Sequence, residues 1–359
     1  MMNRIHPAGP LLLAGSLFCC GRLPAAESLS LAPASPRAHV VVAHNPQATV
    51  AFKPAPDIVE TMVNQAITNL TGQATVAAAW ASLVGTNETV GIKVFTAPGS
   101  DTGTRPSVTA AVVKGLLAAG IPTNHIIVWD RHASDLRHAG YFELAAHFGI
   151  RVAGAAEAGY DPKTFYETAL IGNLVFGDLE FGKKDEVTGK KSFVSKLVSQ
   201  QMTKIINIAP VLNHNGAGVA GNLFSLAMSS VDNTVRFEAT PTRLATAVPE
   251  IYALPALGER VVLNLSDALI CQYEGEERGL LHYSVALNEI RFSRDPVALD
   301  VLALQDLDLR RSSELPGDLA ASRELYKNAA LLELGVADPK HIDITTLKPA
   351  PDQGPTDTR

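Results

Sequence analysis

Between residues 89 and 152 the sequence alternates short β-branched runs with amphipathic helical stretches, and few folds tolerate that alternation. Thr89 to Thr96 (TVGIKVFT) reads as a strand. Pro106 opens a helix with Val108, Val112, Leu116 and Leu117 on one face, ended by Gly120. Ile126 to Trp129 is a second apolar strand, Tyr141 to Phe148 a helix ended by Gly149, and Ile150 to Val152 begins a third strand. Parallel strands need crossovers, and helices are the usual crossovers, so β-α-β-α-β predicts a mainly parallel sheet with helices on both faces. The pattern resumes with Lys204 to Ile208 (KIINI), Val261 to Leu265 (VVLNL), and a helix opened by Asp295-Pro296, aspartate as cap and proline at the first helical position. The fold class expected is α/β.

Around that frame the chain divides as follows. Residues 1–26 carry Arg4, then an apolar run, then Leu23-Pro24-Ala25-Ala26, the layout of a cleaved secretory signal peptide. The apolar run falls short of the roughly 20 residues a membrane span needs. Export to the periplasm or medium is the expected localisation, with lipoprotein processing at Cys19 or Cys20 as the alternative. Residues 27–56, rich in Ala, Pro and Ser, read as a linker leading into a strand at Val40-Val41-Val42; residues 57–345 read as one α/β domain, its first helix capped by Asp57; residues 346–359 read as a flexible tail. Leu174 to Phe181 and Ser192 to Leu197 flank a lysine-rich segment and suggest a β-hairpin insertion whose lysines form a solvated tip. The formal charge of −6 argues against a nucleic-acid partner, and no stretch of the expected mature chain reaches membrane-spanning length. Of the 3 cysteines, Cys19 and Cys20 belong to the leader and Cys271 to an apolar run. Neither a disulfide nor an iron–sulfur cluster is therefore expected.

In open parallel sheets ligands bind beyond the carboxyl ends of the strands, so the segments after each expected strand carry the chemistry. After TVGIKVFT, residues 97–105 hold two glycines, several hydroxyls and a helix start, a possible anion cradle with Thr104 and Arg105; a plain βα loop is the alternative. After Trp129 come Asp130, Arg131 and His132. KIINI leads to Asn213-His214-Asn215, and VVLNL to Asp267 and Glu274. These give His214, Asp267 and Lys93 as candidate catalytic residues, and Arg105, Thr104, Asp130, His132, Asn215 and Asn222 as candidate ligand contacts. His214, Glu274 and Asp267 form the candidate set for a divalent metal. Lys93, inside a strand, calls for a partner or a site. No Gly-x-Ser-x-Gly occurs.

Several segments resemble the domain of unknown function 362 family. They are Val90-Gly91-Ile92-Lys93-Val94, Thr104-Arg105-Pro106, Ile126 to Asp130, Val194-Ser195-Lys196-Leu197 and Ile205 to Pro210 with His214. Further on come Asp267-Ala268 with Glu274-Gly275, and Ser293 to Asp300. The resemblance spans roughly residues 88 to 305 and implies a Rossmann-like fold without implying a reaction. Some relatives carry iron–sulfur clusters, but their cysteine-rich segments are absent here. A Lys-Asn pair usual in the family is replaced by Phe224-Ser225, with Asn222 nearby. A looser likeness, through Thr104-Arg105-Pro106, Gly120-Ile121 and His132, is to the N-terminal domain of nickel-pincer lactate racemases and would imply racemase or isomerase activity. The function expected is that of an enzyme acting on a small anionic ligand at the carboxyl edge of the sheet, with or without a divalent metal; a non-catalytic binding protein of the cell envelope is the rival class.

Overall fold

Burial along the strands follows a period of two. Val40 and Val42 enter one hydrophobic core while Val41 and Ala43 enter another; Ile127 and Trp129 oppose Ile126 and Val128 in the same way. A sheet with both faces covered needs such unbroken apolar strands. The structure, a computed structural model, describes residues 36–183, 187–311 and 318–349. The expected signal peptide and residues 350–359 of the expected tail lie outside the described residues, as do Cys19 and Cys20.

The chain runs β1 (Ala38–His44), a short pair β2 (Thr49–Val50) and β3 (Lys53–Pro54), α1 (Pro56–Thr71), α2 (Val76–Ala81), β4 (Val90–Lys93), α3 (Pro106–Ala118) and β5 (Ile126–Asp130). It continues with α4 (Ala133–His138), α5 (Tyr141–Phe148), β6 (Arg151–Gly154), α6 (Ala155–Ala158), β7 (Tyr160–Asn173), β8 (Thr188–Ser195), β9 (Lys204–His214) and β10 (Gly218–Val219). The last third holds α7 (Asn222–Ser230), α8 (Val235–Glu238), α9 (Pro241–Tyr252), β11 (Val261–Gln272), β12 (Ser284–Ser293), α10 (Pro296–Asp308), α11 (Asp318–Leu331) and β13 (Ile342–Leu347). The main sheet is ordered β13-β1-β12-β11-β9-β4-β5-β6, with β10 beside β9. The pairs β11–β9, β9–β4, β4–β5, β5–β6 and β1–β13 are parallel, whereas β12 runs antiparallel to both neighbours. The α/β class is thus observed, with α1, α2, α3 and α5 packed on one face and α7, α9, α10 and α11 on the other.

Order along the sheet places the switch point. From β4 the chain winds outward through β5 to β6, then returns to lay β9 on the opposite side of β4 and β11 beyond it. Adjacent loops diverge there, leaving a crevice at the strands' carboxyl ends.

Several boundaries differ from expectation. The segment read as linker contributes β1, because its valine run has the two-faced burial of a sheet strand. Helix α1 starts at Pro56 behind Ala55, which offers no side-chain cap, and Asp57 lies in the first turn instead of capping. The hairpin is built from β7 and β8, well before Leu174 on its first arm, and Lys190 and Lys191 lie within β8, where both pair with Glu167. Residues 184–186, at the centre of the expected lysine tip, lie outside the described residues. Strands β9 and β11 run on through residues read as loops. A bulge lets them do so: Asp267 faces Pro210 in the register, then three residues of β11 pass before pairing resumes at Cys271–Val211. Proline brings no N–H to a ladder, so a central strand tolerates it where the ladder is interrupted.

Candidate functional site

A cleft of about 510 Å³ opens at the switch point. Phe95 and Ala97 follow β4, Asp130 to His132 and Asp135 follow β5, His214 ends β9, and Glu276 to Arg278 follow β11; Phe224, Met228 and Ser229 of α7 form a wall, with Glu238 at one margin.

The floor is a saturated ion pair. Lys93 is fully buried, and its Nζ donates to Asp130 Oδ1 at 2.9 Å, Ser225 Oγ at 2.9 Å and the Val94 carbonyl at 2.5 Å. Three protons meet three acceptors, as an ammonium requires. Asp130 also accepts from Thr96 N and Oγ1, each at 2.7 Å, and from Ser229 Oγ at 2.9 Å. Burial alone would raise the Asp130 carboxyl, but the Lys93 ammonium and the Thr96 hydroxyl hold it below the usual carboxylate range; burial draws Lys93 down, against the pull of Asp130. Lys93 therefore has no free proton for a substrate and acts as support, not as the catalytic amine expected.

A second buried pair occupies the expected anion cradle. Arg105 Nη1 donates to Asp267 Oδ1 and Arg105 N to Asp267 Oδ2, both at 2.8 Å, and Leu269 N adds a third donor at 3.3 Å. The N-terminus of α3 is thus closed by a carboxylate of the chain itself. Thr104 is buried between Phe95 N and the Ile208 carbonyl. Gly103 keeps this loop tight, since a Cβ there would lie 2.6 Å from the Gly99 and Phe95 carbonyl oxygens. Arg105, Thr104 and Asp267 are consequently scaffold, away from the cleft.

His214, like Asp130 and His132, is an expected residue that the cleft does receive. Its Nδ1 accepts backbone N–H groups from Gly216 at 3.1 Å and Ala217 at 3.0 Å. Two donors aimed at Nδ1 leave it without a proton, so the neutral ring carries its hydrogen on Nε2. Nε2 finds no protein partner among the described residues and is not sealed from solvent. Burial lowers the pKa of the ring, opposed by the fields of Glu276 and Glu238. The Phe224 ring lies 4.2 Å away, centroid to centroid, and braces the imidazole.

The turn after β11 is held by two amides. Asn213 Oδ1 accepts Glu276 N at 3.0 Å while Glu276 Oε1 accepts Asn215 N at 3.1 Å. Gln272 donates to the Glu276 carbonyl and accepts Leu280 N, both at 2.8 Å. Glu276 itself sits at φ 52°, a left-handed backbone that a non-glycine side chain rarely adopts and that such clamps sustain. His132 lines the cleft, and Asn215 stands at its edge through its bond to Glu276.

The remaining expectations separate from the cleft. Asn222 is fully buried in a polar network with Asn207, Ser266 and Asp300. Glu274 lies in the field of Arg311 outside the cleft lining. His214, Glu274 and Asp267 do not converge, and no group of three His, Cys, Asp or Glu side chains placed to hold a metal occurs among the described residues. The donor set also disfavours a metal at His214: Nδ1 is occupied, and a neutral ring ligating through Nε2 would need its proton on Nδ1. Sequence reading missed Asp135, Phe224, Met228, Ser229, Glu238, Glu276, Glu277 and Arg278; the turn glycines Gly275 and Gly279 around the last three were the available signal.

Both acids of the Asp295–Asp300 segment cap helices. Asp295 accepts Ala298 N of its own helix and Val336 N, each at 2.8 Å. Asp300 reaches across to α7, accepting Asn222 N at 2.6 Å and Leu223 N at 2.9 Å. Burial pushes the Asp300 carboxyl up to about 7, against those bonds. Cys271 is a free, buried thiol, pushed by burial up to about 12.

A protein family described as Domain of unknown function (DUF362) matches residues 90–305, from the start of β4 into α10. No curated protein matches the sequence. Among solved structures, a crystal structure of a protein from Thermotoga maritima is similar at 10% identity and a TM-score of 0.37, over 77% of this chain and 59% of that one.

Proposed function

The chain belongs to the domain of unknown function 362 family, and from that premise, which supplies no reaction, we propose that it is an enzyme binding a small polar ligand in the switch-point cleft, with His214 donating its Nε2–H to a ligand oxygen. The locked tautomer of His214 is the observation that carries this reading. A neutral donor held in place before the ligand arrives stabilises negative charge developing on an oxygen without reorganising during the step. An anionic group on the ligand meets Arg131 and Arg278 at the cleft margin, in place of the consumed Arg105 and Lys93. No step needs a metal.

The test is affinity capture. Wild type and His214→Phe, which keeps a flat ring against Phe224, are equilibrated with a small-molecule extract, and retained compounds are released and identified. At least one compound should be retained by the wild type and lost from the variant, with the melting temperature little changed; identical retained sets would overturn the reading. Export is part of the same proposal. The leader read over residues 1–26 would be removed near Ala26, and the mass of the mature protein from its native host would reveal it.

A further inference from the structure

Three of this chain's buried cations are ion-paired, and the buried Arg236 and Asp300 are satisfied by hydrogen bonds instead. Lys93 meets Asp130, Arg105 meets Asp267, and Arg291 lies between Glu289 and Asp306. The cleft departs from that habit. Arg131, Asp135, Glu238, Glu276, Glu277 and Arg278 all line it, yet none makes an ion pair within 4.0 Å among the described residues. Arg131 goes further: its Nε is buried with no acceptor. A buried donor left unpaired costs about 1–3 kcal/mol and marks a place where a partner is missing. Glu276 spends one carboxylate oxygen on Asn215 N and keeps the other free.

Resting on the cleft reading above, we propose that the ligand is a small zwitterion of the α-amino acid kind, its ammonium received by Glu238 and Glu276 and its carboxylate by Arg131, with His214 Nε2–H on a carboxylate oxygen. The charge count selects this class. With Asp130 neutralised by Lys93, four carboxylates and two guanidiniums face one cavity. A simple anion would add to the excess negative charge, and a simple cation would leave Arg131 unmatched. A zwitterion satisfies both signs with no net charge of its own. Glu238 and Glu276 act on the His214 ring, and Arg131 follows Asp130 in the turn after β5. A bare divalent ion fits less well, because no three of these acids come together as ligands. The cavity, at about 510 Å³, is of small-molecule size.

The full chain is titrated by calorimetry with the common α-amino acids, each alongside its matched 2-hydroxy acid and its decarboxylated amine. At least one amino acid should bind about tenfold or more tightly than both of its matched partners, a gap of about 1.4 kcal/mol. The double variant Glu238→Gln/Glu276→Gln keeps an acceptor for Asn215 N and should bring the amino acid down to the level of the hydroxy acid, leaving the hydroxy acid unchanged. Arg131→Gln should weaken both acids together and spare the amine. If hydroxy acids match or exceed their amino acids in the wild type, the zwitterion assignment is overturned while the cleft reading stands. The same holds if the double variant keeps the preference. If no compound binds, and the His214→Phe capture experiment also shows no difference, both fall.

Discussion

Lysine 93 illustrates how a residue type can mislead. A lysine inside a β-strand suggests a site-facing amine, but the three acceptors around its Nζ turn it into a post beneath the cleft. Breaking such a pair from one side leaves a lone buried charge, so Lys93→Met should cost about 3–5 kcal/mol in urea unfolding, and Lys93→Met/Asp130→Asn together should cost less than the two singly added. A strictly additive double variant would contradict the pairing. Asp300 gives a pH signature. Its folded pKa is about 7 against 3.8 for an ordinary aspartate. The unfolded chain therefore releases this proton first as pH rises, so the contribution of Asp300 to stability is full below 3.8 and fades on the way to about 7. Asp300→Ala would strand two backbone N–H groups of α7, costing about 2–5 kcal/mol at pH 5, and the cost should shrink by pH 8 when measured by chemical unfolding. His214 has the opposite sign. Its pKa lies below the ordinary 6.5, so it destabilises the fold as pH falls through that value, and His214→Phe should flatten the stability profile there.

Among the elements, α7 ties the site together. Asp300 caps its first turn, Ser225 and Ser229 engage the Lys93–Asp130 pair, and Phe224 braces His214. The helix is buried all round, which removes the one-sided apolar stripe by which a surface helix is recognised in sequence. That is why Asn222 to Ser230 was not read as an element at all, and why the Phe224-Ser225 departure looked like a loss when these two residues are cleft wall and support. The capping aspartate of α10 was legible because a cap is local, Asp295 to Ala298; Asp300 was not, because its partners lie 77 and 78 residues away. The β7–β8 hairpin is pinned by Arg236, which donates to the Leu170 and Tyr166 carbonyls and to Ser192 Oγ. Arg236→Met should speed amide exchange across residues 160–195 while the main sheet stays protected; unchanged exchange would mean the hairpin is held otherwise.

On the scale of the whole molecule, alternation of strands and helices was enough to foresee the parallel sheet and the edge that carries the polar loops. Three of the residues named in advance, His214, Asp130 and His132, do line the cleft. What remained hidden is long-range: which carboxylate meets which arginine depends on strand order, and β9 returning beside β4 sends Asp267 to Arg105 and away from His214. The central claim is that the switch-point cleft presents His214 as a neutral Nε2–H donor. Long-range nitrogen–proton NMR on the His214 ring tests it most directly. The account predicts a neutral Nε2–H tautomer that persists below pH 6.5, with an Nε2 shift that moves when a cleft ligand binds. A ring protonated at Nδ1, or one titrating at the ordinary histidine value, would contradict it.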